Sequence, residues 1–120
     1  MKKRIDFVNK VRADIFKEIE SITDSRHKTY GEAFDSFRRI GIMWEAYYKA
    51  KYGIDITCEA SDTAFLLTLF KMSREWNNFH MDNGVDGANY FAFAVAFHGW
   101  EQSAKNAPPV YDDEEGEDIW

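Results

Sequence analysis

The sequence predicts an all-α fold, a four-helix, mostly antiparallel bundle with an acidic C-terminal tail. Three observations predict it. Apolar residues recur every three or four positions through most of residues 1–106, the period that gathers them on one side of a helix. Polar or glycine-bearing connectors divide that pattern into four helix-length runs. The adjacent Pro108 and Pro109 then stop the last run, and the remainder is almost wholly acidic. A chain of 120 residues is long enough for one core without staples, so residues 1–106 read as the bundle domain and 107–120 as a flexible tail.

The first helix is expected over Lys3 to Ile22, where Ile5, Val8, Val11, Ile15, Ile19 and Ile22 form one apolar stripe. Its β-branched content lowers intrinsic propensity, so packing must supply most of its stability. Thr23 to Gly31 reads as a polar connector, either a solvated loop or an anion-binding loop built on Arg26, His27 and Lys28 ahead of Tyr30.

The second helix spans Glu32 to Lys51, with Phe34, Phe37, Ile40, Trp44 and Tyr47 or Tyr48 inward and Arg38 and Arg39 turned away. Gly53 follows it where a left-handed cap is expected. The third helix runs from about Cys58 to Trp76, capped by Thr57 or Ser61. Its apolar residues surround it almost completely, which predicts a central position. Asp62 near its start, and Lys71 and Arg74 near its end, are favoured there by the helix dipole.

Asn77 to Gly84 is the next turn, with Asp82 or Asn83 as N-cap and Asn83–Asp86 approximating a capping box. In the fourth helix, Gly87, Ala88, Ala92, Ala94, Ala96 and Gly99 permit close approach of a neighbour while the Phe residues fill gaps.

The net charge of −6 belongs to the tail. Asp112, Asp113, Glu114, Glu115, Glu117 and Asp118 account for it, which leaves a body with fifteen residues of each sign. A neutral body lacks the basic field of a nucleic-acid binder, so no direct nucleic-acid contact is expected. Cys58 is the single cysteine, in keeping with a reducing cytoplasm. No apolar run approaches the roughly 20 residues of a membrane span, and the N-terminus lacks the apolar core of a signal peptide. The chain is therefore expected in the cytoplasm, that of the host if a phage encodes it.

The candidate chemistry gathers between Lys71 and Tyr90. Lys71 and Arg74 are three apart on one helix, so they share a side. Asp82 and Asp86, four apart, can face one way on the next, with Tyr90 continuing that face. Two cations and two carboxylates suit a metal-bound phosphate. They suit equally an ion-pair network that ties two helices together. No Gly-rich phosphate loop, zinc-type Cys/His spacing or Ser-His-Asp signature accompanies them.

In order along the chain stand Tyr30-Gly31, Phe34 and Phe37, Trp44 with Tyr47, Asp62 with Ala64, Lys71 with Arg74, and Asp82, Asp86 and Tyr90. This set resembles a small all-helical domain common in phages and prophages, over roughly residues 26–96. More distantly it is similar to the MazG-like nucleotide pyrophosphohydrolases and to a nucleotide-modification-associated phage domain. The resemblance implies a nucleotide or other phosphate ligand, with Lys28, Lys71 and Arg74 neutralising phosphate and Tyr30 or Tyr90 stacking or hydrogen-bonding. It implies Mg2+ at Asp82 and Asp86, and a homodimer, which the aromatic load and small-residue fourth helix also make reasonable.

In MazG-like enzymes the earlier helix carries a Glu-Glu-x-x-Glu cluster. Here Glu18 and Glu20 point to opposite sides, and Glu32 with Asp35 is a thin substitute. Two Asp residues meet the minimum for magnesium that keeps water and phosphate oxygens. Activating water for attack needs a further base, so catalytic residues stay unassigned. A second reading makes the chain a non-catalytic phage protein that inhibits a host defence complex, as an anti-CRISPR does. Its acidic tail would engage a basic surface of the host partner, with Ile119 and Trp120 as apolar anchor.

Overall fold

The computed structural model describes residues 2–30 and 33–106, with side chains over 2–22 and 33–105. Gly31, the proline pair, the acidic tail and Trp120, to which several expectations attach, lie outside the described residues. Four helices follow in order: α1 (Lys2–Tyr30), α2 (Ala33–Tyr52), α3 (Ala60–Asn77) and α4 (Met81–Asn106). No strand occurs among the described residues, so the chain is all-α as its period requires.

Two boundaries differ from the sequence reading. The stretch expected as a polar connector after Ile22 is helical to Tyr30, so α1 runs on through TDSRHKTY. Polar composition does not break a helix when it contains neither Gly nor Pro. At the other end, α4 starts at Met81, ahead of both Asp82 and Asn83, the two N-caps expected. Its first turn is organised by Glu75 of α3, whose Oε1 accepts from the His80 backbone N–H at 2.9 Å and from Asn83 Nδ2 at 3.2 Å. Asn83 is thus a helical residue tied to α3, and Asp86 is drawn away from any capping role.

The cap of α3 likewise falls to an unexpected pair. Glu59 is the N-cap, and the Asp62 carboxylate accepts its backbone N–H at 2.8 Å, the reach-back half of a capping box. Gly53 behaves as expected, with φ +68° and its N–H donated to the Lys49 carbonyl at 3.0 Å.

Backbone packing joins α1 to α4, α4 to α3 and α3 to α2. The core is where α2 closes on the other two. Ala60 and Ala64 of α3 and Ala94 of α4 are fully buried, and their small side chains let the helices approach. Phe34 and Phe37 of α2 fill the remaining space against Phe93 and Phe97, with ring centroids 5.3–5.6 Å apart. Tyr90 joins this stack at 6.0 Å from Phe37.

The expectation of a third helix buried all round is corrected. Only its first turns are covered, and Leu66, Leu69, Phe70, Met72 and Trp76 are exposed. An apolar circumference marks surface that needs covering; it does not say that this chain alone covers it.

Candidate functional site

The seam between α3 and α4 brings together part of the residue set singled out by sequence. Lys71 Nζ lies 3.0 Å from Asp86 Oδ2, with the two side chains 14% and 25% exposed. The pair bridges the helices at the height of Gly87, where a Cβ would meet Lys71 Cβ at an ordinary contact distance of 3.4 Å. Arg74 stands one turn beyond Lys71, its guanidinium 5.7 Å from the Phe70 ring, and makes no ion pair among the described residues. Asp82 stands one turn before Asp86 and is 75% exposed, with Oδ2 3.9 Å from His80 Nδ1. Tyr90 lies one turn after Asp86, half-buried against Phe37.

Lys28 and Tyr30 lie on the last turn of α1, and their side chains are outside the described residues. Among the described residues no three His, Cys, Asp or Glu side chains converge as a metal set. Of the carboxylates at this seam, Asp86 is held by Lys71 and Glu75 is taken up by the His80 N–H and Asn83, which leaves Asp82 the most open to a ligand.

Sequence reasoning missed three polar connections that position these helices. The first joins α2 to the α3 entry. Arg38 Nη1 donates to Glu45 Oε2 at 2.9 Å and to the Cys58 carbonyl at 3.0 Å, while Glu45 Oε2 accepts the Cys58 backbone N–H at 2.8 Å. Arg38 therefore faces inward, contrary to the expectation that it turns away. Its seven-residue separation from Glu45, two helical turns, was the available signal.

The second is the nearly buried Glu101 of α4, which accepts the Ser61 N–H at 3.2 Å and, through Oε1, the Ser61 hydroxyl. The third is the Glu75–Asn83 bridge already described.

The Cys58 N–H, followed by the Arg38 guanidinium, holds the Glu45 carboxyl below its ordinary value against the opposing effect of burial. Burial pushes the Cys58 thiol up against the lowering contact with Thr63, and the nearby Asp62 and Glu45 charges add to the rise, so the reactive thiolate form is disfavoured. Because Glu45 binds its proton less readily folded than unfolded, acid favours unfolding. Its stabilisation is complete above the ordinary glutamate value, about 4.3, and is lost as pH falls through the lowered folded value. Glu45→Gln is expected to flatten that acid limb of a urea-midpoint-against-pH curve and leave the neutral-to-basic limb parallel to wild type.

Residues 14–98 match the family described as "Domain of unknown function (DUF6378)". The chain belongs to the DUF6378 family. The match spans α1 from Asp14, all of α2 and α3, and α4 to His98, so both sides of the Lys71–Asp86 seam lie inside the DUF6378 domain. The chain is also 38% identical over 72 residues to the Gene 55 protein of Mycobacterium phage L5. That stretch covers 59% of this chain and 43% of the phage protein, so the chain spans less than half the length of that relative. This DUF6378 chain is therefore a phage-associated domain, as its motif order suggested. No solved structure matches it.

Proposed function

We propose that the α3–α4 seam binds a magnesium-bound phosphate, with a nucleoside triphosphate as the ligand class. The observation that supports this reading most is the mixed charge of the seam. Lys71 and Asp86 are held together in a part-buried setting, with exposed Arg74 and Asp82 each one turn away. Bare phosphate would meet two carboxylates as well as two cations. A magnesium–phosphate complex presents both signs, and suits both halves of the set.

Two carboxylates fit a magnesium ion that arrives with its phosphate oxygens and waters, and do not make a cage that holds the ion alone. Asp82 and Asp86 would hold that ion, which supplies charge neutralisation. Lys71 and Arg74 would take phosphate oxygens directly, and the Tyr90 ring or hydroxyl would contact the nucleoside. The likeness to MazG-like nucleotide pyrophosphohydrolases supports the same ligand class. Without a Glu-Glu-x-x-Glu cluster the reading is one of binding, with no hydrolytic step assigned.

Thermal unfolding with nucleoside triphosphate and magnesium tests this. Ligand at 100 times its Kd adds about 2.7 kcal/mol, a rise of several degrees in Tm. The rise is expected with both components together and with neither alone. Asp82→Asn, at an exposed position, should leave the unliganded Tm unchanged and abolish the rise. An unchanged Tm for every nucleotide tried with magnesium would sink the reading.

A further inference from the structure

The exposed side of α3 carries Phe65, Leu69, Met72 and Trp76, continued past the helix end by Phe79. Their spacing alternates four and three, the period that seats one helix against another. Trp76 is 94% exposed and the other four are 38–60% exposed. Beside this stripe a cleft of about 640 Å3 opens between α1 and α3. Val11 and Ile15 form one wall, Met72 and Trp76 the other, and Gly84 and Gly87 of α4 the floor. Apolar walls over a glycine floor, with Lys71, Glu75 and Asn83 also on the lining, give the cleft the shape that receives an amphipathic helix.

We propose that this face is the interface of a homodimer, with the groove and stripe of one copy covered by the same face of a second. Size comes first. Five side chains of roughly 200 Å2 each, four of them more than half exposed, join Phe7 and Val8 across the groove, where Phe7 already packs on Phe79 at 6.0 Å. Together they offer on the order of 800 Å2, what a stable interface takes from each partner, against about 300–600 Å2 for the largest patch of a typical monomer.

Need comes second. Among the described residues, the largest side chain less than 2% exposed is Thr63, so these residues leave much of their large apolar content uncovered. A deficit of that kind requires cover whenever the chain is folded. Another copy is the partner always present in step with the chain itself.

Charge comes third. The cleft lining carries both signs, Lys71 and Glu75, so two copies can meet without a field of one sign between them. Asp82, Asp86 and Tyr90 follow a four-residue spacing out of step with Gly84 and Gly87, so the carboxylates lie away from the groove floor. Lys71, which lines the cleft while its ammonium pairs with Asp86, is the residue the two sites share.

Light scattering after size exclusion tests this on the full chain at tens of micromolar. Twice the 14.0 kDa chain mass is expected, with a Tm that rises with protein concentration. Leu69→Glu and Trp76→Glu should each give a monomer with a lowered, concentration-independent Tm. Met43→Glu, at an exposed position of α2 away from the groove, should stay dimeric. If the stripe variants do not fold, the concentration dependence of wild-type Tm decides. A monodisperse wild-type monomer with a concentration-independent Tm overturns the proposal, because the face must then serve another protein or a ligand. Stripe variants that remain dimeric overturn it too.

Discussion

Gly41→Ala is expected to destabilise the domain more than any other single-methyl addition. Gly41 is buried on α2, where the chain entering α3 crosses it. A Cβ there would collide with the Cys58 carbonyl oxygen and crowd Thr63 Oγ1 at 3.2 Å. The obstacle is backbone, which cannot rotate aside. That carbonyl also accepts from Arg38, so displacing it disturbs the Arg38–Glu45–Cys58 connection. The loss should lie at or above the upper end of the ~1–3 kcal/mol of ordinary overpacking, even after the gain of up to about 1 kcal/mol that Ala brings over Gly in a helix.

Urea unfolding should show a lower midpoint with an unchanged slope. Gly87→Ala is the control: its new methyl meets only Lys71 Cβ at ordinary contact distance, so its midpoint should stay close to wild type or rise. A Gly41→Ala protein as stable as wild type would mean that α2 does not cross the α3 entry this closely.

The helices were legible because their signal is local. Period-3.6 apolar spacing and Gly53 each need only neighbouring residues, and the structure matches them at α2, α3 and α4 to within a few residues. Failures began where the deciding partner was distant in sequence. Asn83 and Asp86 have the spacing of a capping box, yet Glu75 and Lys71 claim them across the seam. No local rule could rank those competitors. Arg38 looked solvated because its partner at Cys58 is brought close only when α2 and α3 pack.

The apolar circumference of α3 was read as buried within the bundle, and the structure covers only its first turns. Sequence period records that a face needs a partner and is silent on whose surface supplies it. Of the candidate site, the pairing of Lys71 with Asp86 was within reach of the sequence, since both readings placed opposite charges on facing helices. Which carboxylate is engaged and which stays exposed follows from helix phase, and needed the structure.

Asp86→Asn should now cost stability and ligand response together, and the two losses are separable. Lys71 is mostly sheltered, and removing the carboxylate leaves its ammonium without a counter-charge. Breaking a buried pair from one side costs about 3–5 kcal/mol. With Asp86 a quarter exposed, water relieves part of that, so about 1–3 kcal/mol is expected. Lys71→Met with Asp86→Leu removes both charges and should recover most of the loss, since an apolar pair of similar size is often as stable as the ion pair. A double-mutant cycle would then give a coupling of order 1 kcal/mol or more. Neither Asp86→Asn nor the apolar double variant should show the Tm rise with magnesium and nucleoside triphosphate. The double variant is the decisive one, because its scaffold is intact and its binding charges are gone. Restored stability with the nucleotide response also intact would show that the pair only holds α3 to α4, and would remove Lys71 and Asp86 from the phosphate site.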